Sequence, residues 1–318
     1  MSRVPDYLHQ PVLLREVLDG LLPRTGGRYV DGTLGGGGHA AAVLAASGPG
    51  GWLFGCDRDD AAIEAAGIRL AEFAGRFELR RGDFADAGTW LEPGSCDGVL
   101  LDLGVSSPQL DHPERGFSFR ADGPLDMRMD RRQGLTAAEV VNTWPRERLE
   151  QVFRELGEEP SARRLARAIE RERGRTRFDT TRQLAGFVER ECPRAGGRLH
   201  PATRVFQALR MVVNDEVGSL RRGLETALGL LRPGGRLAVI AFHSVEDREV
   251  KAFGNRWTRD YVVAGEVDVP ELRRPARPRL RWVVRKAIQP AAPELATNPR
   301  ARSARMRLME KTEDERSS

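Results

Sequence analysis

The chain has 318 residues, 40% of them hydrophobic and 31% charged, with 51 Lys and Arg against 46 Asp and Glu for a net charge of +5. That balance excludes a chain disordered throughout, and no run of about 18 apolar residues offers a membrane span. Three cysteines (Cys56, Cys96, Cys192) and five scattered histidines show no C-x-x-C, H-E-x-x-H or H-x-H spacing, which excludes a disulfide framework and argues against a metal enzyme.

In chain order, short apolar or β-rich runs at 27–31, 51–56, 76–80 and 97–101 alternate with helical patterns at 40–46 and 60–73. Alternation of this kind predicts a parallel sheet wrapped by helices, an α/β fold. The next strand run, 236–242, lies about 130 residues further on, where a crossover needs only a dozen or so. Helical patterns at 135–156, 161–172, 180–192 and 201–214 fill the gap, the third opened by Thr180 as an N-cap. The expected organisation is a discontinuous domain of 1–109 and 217–318 with an all-helical insert at 110–216. A helix at 217–231 stops at Pro233-Gly234-Gly235, and 280–288 and 304–309 alternate charged and apolar residues as exposed or antiparallel strands do. The first thirty residues show no secretory signal, so a cytoplasmic location is expected.

All but three of the cations are arginines, which general compositional bias explains. Bias does not explain positions 271–309, where eleven cations face only Glu271 and Glu294, a candidate phosphate-contacting surface. Between 163 and 182 the insert carries eight arginines against Glu170, Glu172 and Asp179, an excess that suits an RNA backbone.

After the first strand run comes Asp31-Gly32-Thr33-Leu34-Gly35-Gly36-Gly37-Gly38-His39. Adjacent glycines at a strand-to-helix turn let the backbone approach a ligand, with a helix N-terminus facing it. The second run ends in Asp57, placed to accept hydrogen bonds from both ribose hydroxyls, as in NAD and S-adenosylmethionine sites. Asp31, just before the glycines, would repel a pyrophosphate but hold an ammonium group. Arg81-Gly82-Asp83-Phe84 sets an acid and an aromatic where adenine lies, and together these favour S-adenosylmethionine.

The stretch 31–39, with Leu100-Leu101-Asp102-Leu103-Gly104-Val105-Ser106-Ser107-Pro108-Gln109, Glu114-Arg115-Gly116-Phe117-Ser118-Phe119, 123–130, His200-Pro201-Ala202-Thr203-Arg204, Phe242-His243-Ser244-Val245-Glu246-Asp247-Arg248 and Asn298-Pro299-Arg300-Ala301-Arg302, resembles the bacterial RsmH (MraW) family. The resemblance implies a class I methyltransferase (Rossmann-like) sheet, mostly parallel with an antiparallel last strand. It also implies methyl transfer from S-adenosylmethionine to N4 of a cytidine in the decoding region of 16S ribosomal RNA, on the small subunit, without membrane or metal and with room for a homodimer. Carried over by position, Gly37, Gly38 and His39 contact the cofactor, Asp57 its ribose and Phe84 its adenine, while Asp102 and Gln109 close the pocket.

Enzymes of this fold that methylate an exocyclic amine place an acid or amide and then Pro-Pro-aromatic after the fourth strand. Here Ser106-Ser107-Pro108-Gln109 follows Asp102, so the stacking aromatic is missing unless Phe117 or Phe119 folds back to supply it. Asp102, Ser106 and His243 are the catalytic candidates. Ser106 either accepts a hydrogen bond from the amine or makes a tight turn. His243 either touches the base or precedes a helix capped by Ser244. The segment 123–130 is either a packed loop or a substrate-facing lid. Two other readings stand beside the leading one: a DNA amino-methyltransferase, and an RNA-binding factor that has kept the fold without activity.

Overall fold

The computed structural model describes residues 11–193, 200–265 and 267–313. In chain order the elements are α1 (Leu14–Leu21), β1 (Arg28–Asp31), α2 (Gly38–Ala46), β2 (Trp52–Asp57), α3 (Asp60–Arg69), β3 (Phe77–Arg81) and β4 (Cys96–Asp102). Then follow α4 (Ser107–Asp111), α5 (Ala137–Thr143), α6 (Arg146–Glu155), α7 (Ala162–Arg173), α8 (Thr181–Glu191), α9 (Thr203–Val213) and α10 (Glu216–Leu230). The chain closes with β5 (Leu231–Ala241), α11 (Ser244–Trp257), β6 (Tyr261–Val263), β7 (Arg273–Pro275), β8 (Leu280–Ile288), α12 (Ala292–Thr297) and β9 (Arg305–Lys311). Contacts divide the described residues into two compact units, one of 11–104 and 218–313 and one of 105–217.

The first unit is built on a seven-stranded sheet of order β3-β2-β1-β4-β5-β9-β8. β1 to β5 are parallel, and β9 runs antiparallel to both β5 and β8. This is the class I methyltransferase sheet. Strand order reverses between β1 and β4, which opens a crevice at their carboxyl ends. Leu237, Ala238, Val239 and Ile240 of β5 are all buried, as expected of a strand covered on both faces.

Of the two readings its alternation allowed, exposed or antiparallel, β9 takes the antiparallel one. It lies inside the sheet, and Met306, Leu308 and Met309 are buried together with Arg307 (9% exposed) and Lys311 (6%). The charges survive burial because each is matched. Arg307 donates two hydrogen bonds to Asp247 of α11 at 2.6 and 3.0 Å, and Lys311 Nζ donates to the Leu231 carbonyl at 2.7 Å. β8, the edge strand, does keep exposed charges at Arg281, Arg285 and Lys286.

The second unit packs α5 to α9 around Leu149, Phe153, Leu165, Val205 and Leu209. The helix expected over 135–156 is two helices, because Pro145 cannot continue one and holds Trp144 in extended backbone. Thr180 caps α8 as expected, in a capping box with Gln183. Residues 123–130 form a packed loop. Leu125 and Met127 are buried, Met127 in left-handed backbone (φ 64°), and Asn214 Nδ2 holds the Met127 carbonyl at 2.8 Å.

Candidate active site

Three of the parallel strands end in an aspartate: Asp31 on β1, Asp57 on β2 and Asp102 on β4. Since the strands lie side by side with β1 in the middle, the three carboxyls gather at the crevice. The glycine loop folds over them. Leu34 N donates to the Cys56 carbonyl at 3.1 Å, Gly35 N to Asp57 Oδ2 at 2.9 Å and Gly37 N to the Leu34 carbonyl at 2.8 Å. Gly37 takes left-handed backbone (φ 72°) as the N-cap of α2. A Cβ there would stand 3.1 Å from that of Ala66, and one on Gly38 would stand 2.4 Å from Pro11 Cγ. Packing against Ala66 of α3 and against Pro11 therefore favours glycine at both positions, whatever the ligand.

Asp57 holds the turn from both oxygens, with Asp59 N bonded to Oδ1 at 2.9 Å and Gly35 N to Oδ2 at 2.9 Å. Each oxygen keeps a lone pair for a diol. Burial raises this carboxyl to about 6, against the pull of those two backbone donors. Asp31 is 2% exposed, and burial raises it to about 7 even though His39 opposes the rise. The neighbouring charges of Asp102 and Asp57 push it in the same upward direction as burial.

His39, in the first turn of α2, is 6% exposed. Its Nε2 lies 3.6 Å from Asp102 Oδ2, too far for a hydrogen bond. Both ring nitrogens and Asp102 Oδ1 are buried without a hydrogen-bond partner. Thr33 Oγ1, which the motif reading did not single out, accepts from Asp102 N at 2.5 Å and fixes the end of β4. Its signal was only its place inside the Asp31 motif.

Phe84 is half-buried between two glycines. A Cβ on Gly32 would reach within 2.7 Å of Phe84 Cβ, and one on Gly223 within 2.1 Å of its ring. Asp83, expected near adenine, is engaged elsewhere: it accepts from Ser219 Oγ at 2.7 Å, from Ala85 N at 3.0 Å and from Arg58.

His243 itself, not Ser244, is the N-cap of α11. Its Nδ1 accepts from Glu246 N at 3.4 Å and its Nε2 lies 2.9 Å from Glu246 Oε1, while Glu246 Oε2 accepts from Phe242 N at 2.9 Å. Both ring nitrogens thus serve the helix start. In the second unit, Ser106 and Gln109 form a capping box at α4, with Ser106 N donating to Gln109 Oε1 at 3.0 Å and Gln109 N to Ser106 Oγ at 3.5 Å. Neither expected substitute for the missing aromatic swings out of that unit. Phe117 is in its core, and Phe119 packs on His200 and Phe206 with ring centroids 4.7 and 4.9 Å away.

The sequence profile of the MraW methylase family matches residues 6–312. The chain belongs to this family. It is 50% identical over 310 residues to the ribosomal RNA small subunit methyltransferase H of Syntrophotalea carbinolica, an alignment covering 95% of this chain and 98% of that protein. The protein of the same name in Symbiobacterium thermophilum is 49% identical over 312 residues, covering 96% and 97%, and that of Geobacter sulfurreducens 49% over 310 residues, covering 96% and 99%.

The MraW methylase crevice fits S-adenosylmethionine on physical grounds. That molecule carries sulfonium and ammonium cations, a ribose diol and a flat adenine. Here three carboxyls gather at the strand ends with Asp31 buried among them, Asp57 keeps acceptors beside the glycine loop, and an aromatic ring stands next to that loop. The unsatisfied polar atoms of His39 and Asp102 are those a polar ligand would complete.

Proposed function

We propose that this chain transfers a methyl group from S-adenosylmethionine to N4 of a cytidine in the decoding region of small-subunit ribosomal RNA. The observation that carries the reading is Asp102, which ends β4 with one buried oxygen unpartnered in a crevice that fits the cofactor. Bound S-adenosylmethionine supplies an electrophilic methyl group. In this reading Asp57 holds the ribose, the backbone of Gly37 and Gly38 lies along the cofactor, and Phe84 lies against adenine. His39 completes its pocket.

An exocyclic amine is a poor nucleophile because its lone pair is delocalised into the ring. Asp102 accepts a hydrogen bond from it, turning the lone pair toward the methyl group, and the buried crevice excludes water. Ser106 caps α4 with its hydroxyl oxygen. His243 orders the α11 start rather than handling the proton. The target base is unstacked to reach the crevice, and the helical unit contacts the RNA backbone through arginines such as Arg163, Arg164 and Arg167, exposed along α7. We assign the enzyme to the cytoplasm, acting without metal on the small subunit.

The purified protein is expected to transfer labelled methyl groups to 30S particles from cells lacking the modification, with mass spectrometry placing the label on one cytidine. Transfer to duplex DNA instead, or to no cytidine, would overturn the reading.

A further inference from the structure

His39 and Asp102 are ionisable side chains that face each other at 3.6 Å with polar atoms left over: both imidazole nitrogens and one carboxylate oxygen. A buried imidazole ordinarily finds a donor or an acceptor, and a merely structural histidine here would be an uncompensated cost. Methylation of an amine also creates a proton that must leave. The N4 lone pair forms the new N–C bond, the C–S bond breaks with its electron pair going to sulfur, and the methylated nitrogen is left carrying a positive charge and an acidic proton. An acceptor within the protein, beside the amine, serves that purpose.

We propose that His39 and Asp102 together are the proton acceptor of this transfer, with His39 the group that finally holds the proton. The inference rests on the amine-methylation reading above. N4 gives its proton to Asp102 through the carboxyl oxygen that faces His39, the proton moves on to His39 Nε2, 3.6 Å from that oxygen, and it passes to solvent once the product has left. The cycle starts from a neutral imidazole and an ionised carboxylate and ends there. Other charges surround the imidazole. Asp31 on β1 interacts with it electrostatically, Asp57 ends the adjoining β2, and Arg69 of α3 donates to the Gly36 carbonyl at 3.2 Å.

Two measurements on the full chain test the pair. First, in protein labelled at histidine, the His39 resonance, assigned with His39→Gln, is expected to follow pH in a two-step curve typical of coupled groups. It should reduce to a single step in Asp102→Asn. A one-step wild-type curve, or one unchanged in Asp102→Asn, overturns the proposal, and the wild-type curve decides alone if a variant does not fold. Second, at saturating cofactor His39→Gln is expected to slow single-turnover transfer about 100-fold and flatten its pH profile, the scale of a lost general base. Superimposable pH profiles for His39→Gln and wild type would mean that water takes the proton. If wild-type enzyme methylated no cytidine, the substrate reading would fail, while the resonance measurement would still decide whether the pair titrates as one unit.

Discussion

Asp31 ends β1 at 2% exposure with a carboxyl raised to about 7, because burial outweighs the Thr33 N–H and the His39 ring that face it. Between about pH 4, where an unfolded aspartate titrates, and about 7, the folded protein therefore holds a proton that the unfolded chain has released. For this group stability is greatest below that window and declines as pH rises through it. Asp57 adds the same trend up to about 6. A cationic cofactor reverses the preference, since it favours the ionised carboxyl. Cofactor affinity is expected to fall as pH drops below about 7, and binding at pH 6 should release protons, seen as a buffer-dependent heat in calorimetry. In Asp31→Asn the proton release should shrink to what Asp57 supplies, and the cofactor-free protein should gain on the order of a few kcal/mol at pH 8. An unchanged proton count in that variant would remove Asp31 from the cofactor's surroundings. Asp31 and Asp57 were legible in the sequence because each stands at a strand end beside a glycine or a turn. The commitment of Asp83 to Ser219 and Arg58 was not, since Ser219 lies 136 residues away and no local pattern records the contact.

At the scale of elements, the positions of β1 to β5, β8 and β9 followed from apolar runs and turn residues, helices fill the long gap before β5, and the three-residue strands β6 and β7 were too short to leave a pattern. The alternation of Arg and Met in β9 fitted an exposed or an antiparallel strand, and the strand is antiparallel with Arg307 buried because α11 presents Asp247 to it. The partnership holds Asp247 below the usual carboxylate range, against the effect of its burial. Removing one member leaves the other charge stranded. Asp247→Ala is expected to destabilise the protein by about 3–5 kcal/mol, the usual result of breaking a buried pair, as read by denaturant unfolding. Arg305, on the exposed side of the same carboxylate at 3.6 Å, should matter little: Arg305→Ala should cost less than about 1 kcal/mol. Replacing Asp247 and Arg307 together by Leu and Met should recover much of the loss. Equal losses for Asp247→Ala and Arg305→Ala would show that the buried pair does not lock α11 to the sheet. The same reasoning explains the N-cap that moved from Ser244 to His243. Serine is the commoner cap, but the His243 ring and Glu246 satisfy each other's backbone and side-chain groups at once.

Over the whole molecule a net charge of +5 is modest, so what matters is where acids fail to answer arginines. On β8 and α11 many cations are already matched, as Arg281 is by Glu310 and Arg256 by Glu225. α7 differs. Its buried face is Leu165, Ala166, Ala168 and Ile169, and its exposed face carries Arg163, Arg164 and Arg167, while its acid Glu170 faces Arg146 at 3.6 Å. Arg167 is one turn from both Arg163 and Arg164, so the exposed side of α7 gathers three guanidinium groups that a phosphate chain can meet. If the helical unit grips RNA this way, each contact displaces condensed cations from the backbone, and affinity falls with salt in proportion to the number of contacts. Arg163→Ala, Arg164→Ala and Arg167→Ala combined are expected to lower the slope of log affinity against log salt by about 2 to 3 for ribosomal RNA fragments. Unfolding should shift by no more than about 1.5 kcal/mol, because all three side chains are exposed. Methyl transfer at saturating RNA should be retained, since nothing at the cofactor crevice has changed. An unaltered salt slope with intact folding would take α7 out of the RNA contact and leave the arginines of β7 and β8, such as Arg274 and Arg285, as the phosphate-binding surface.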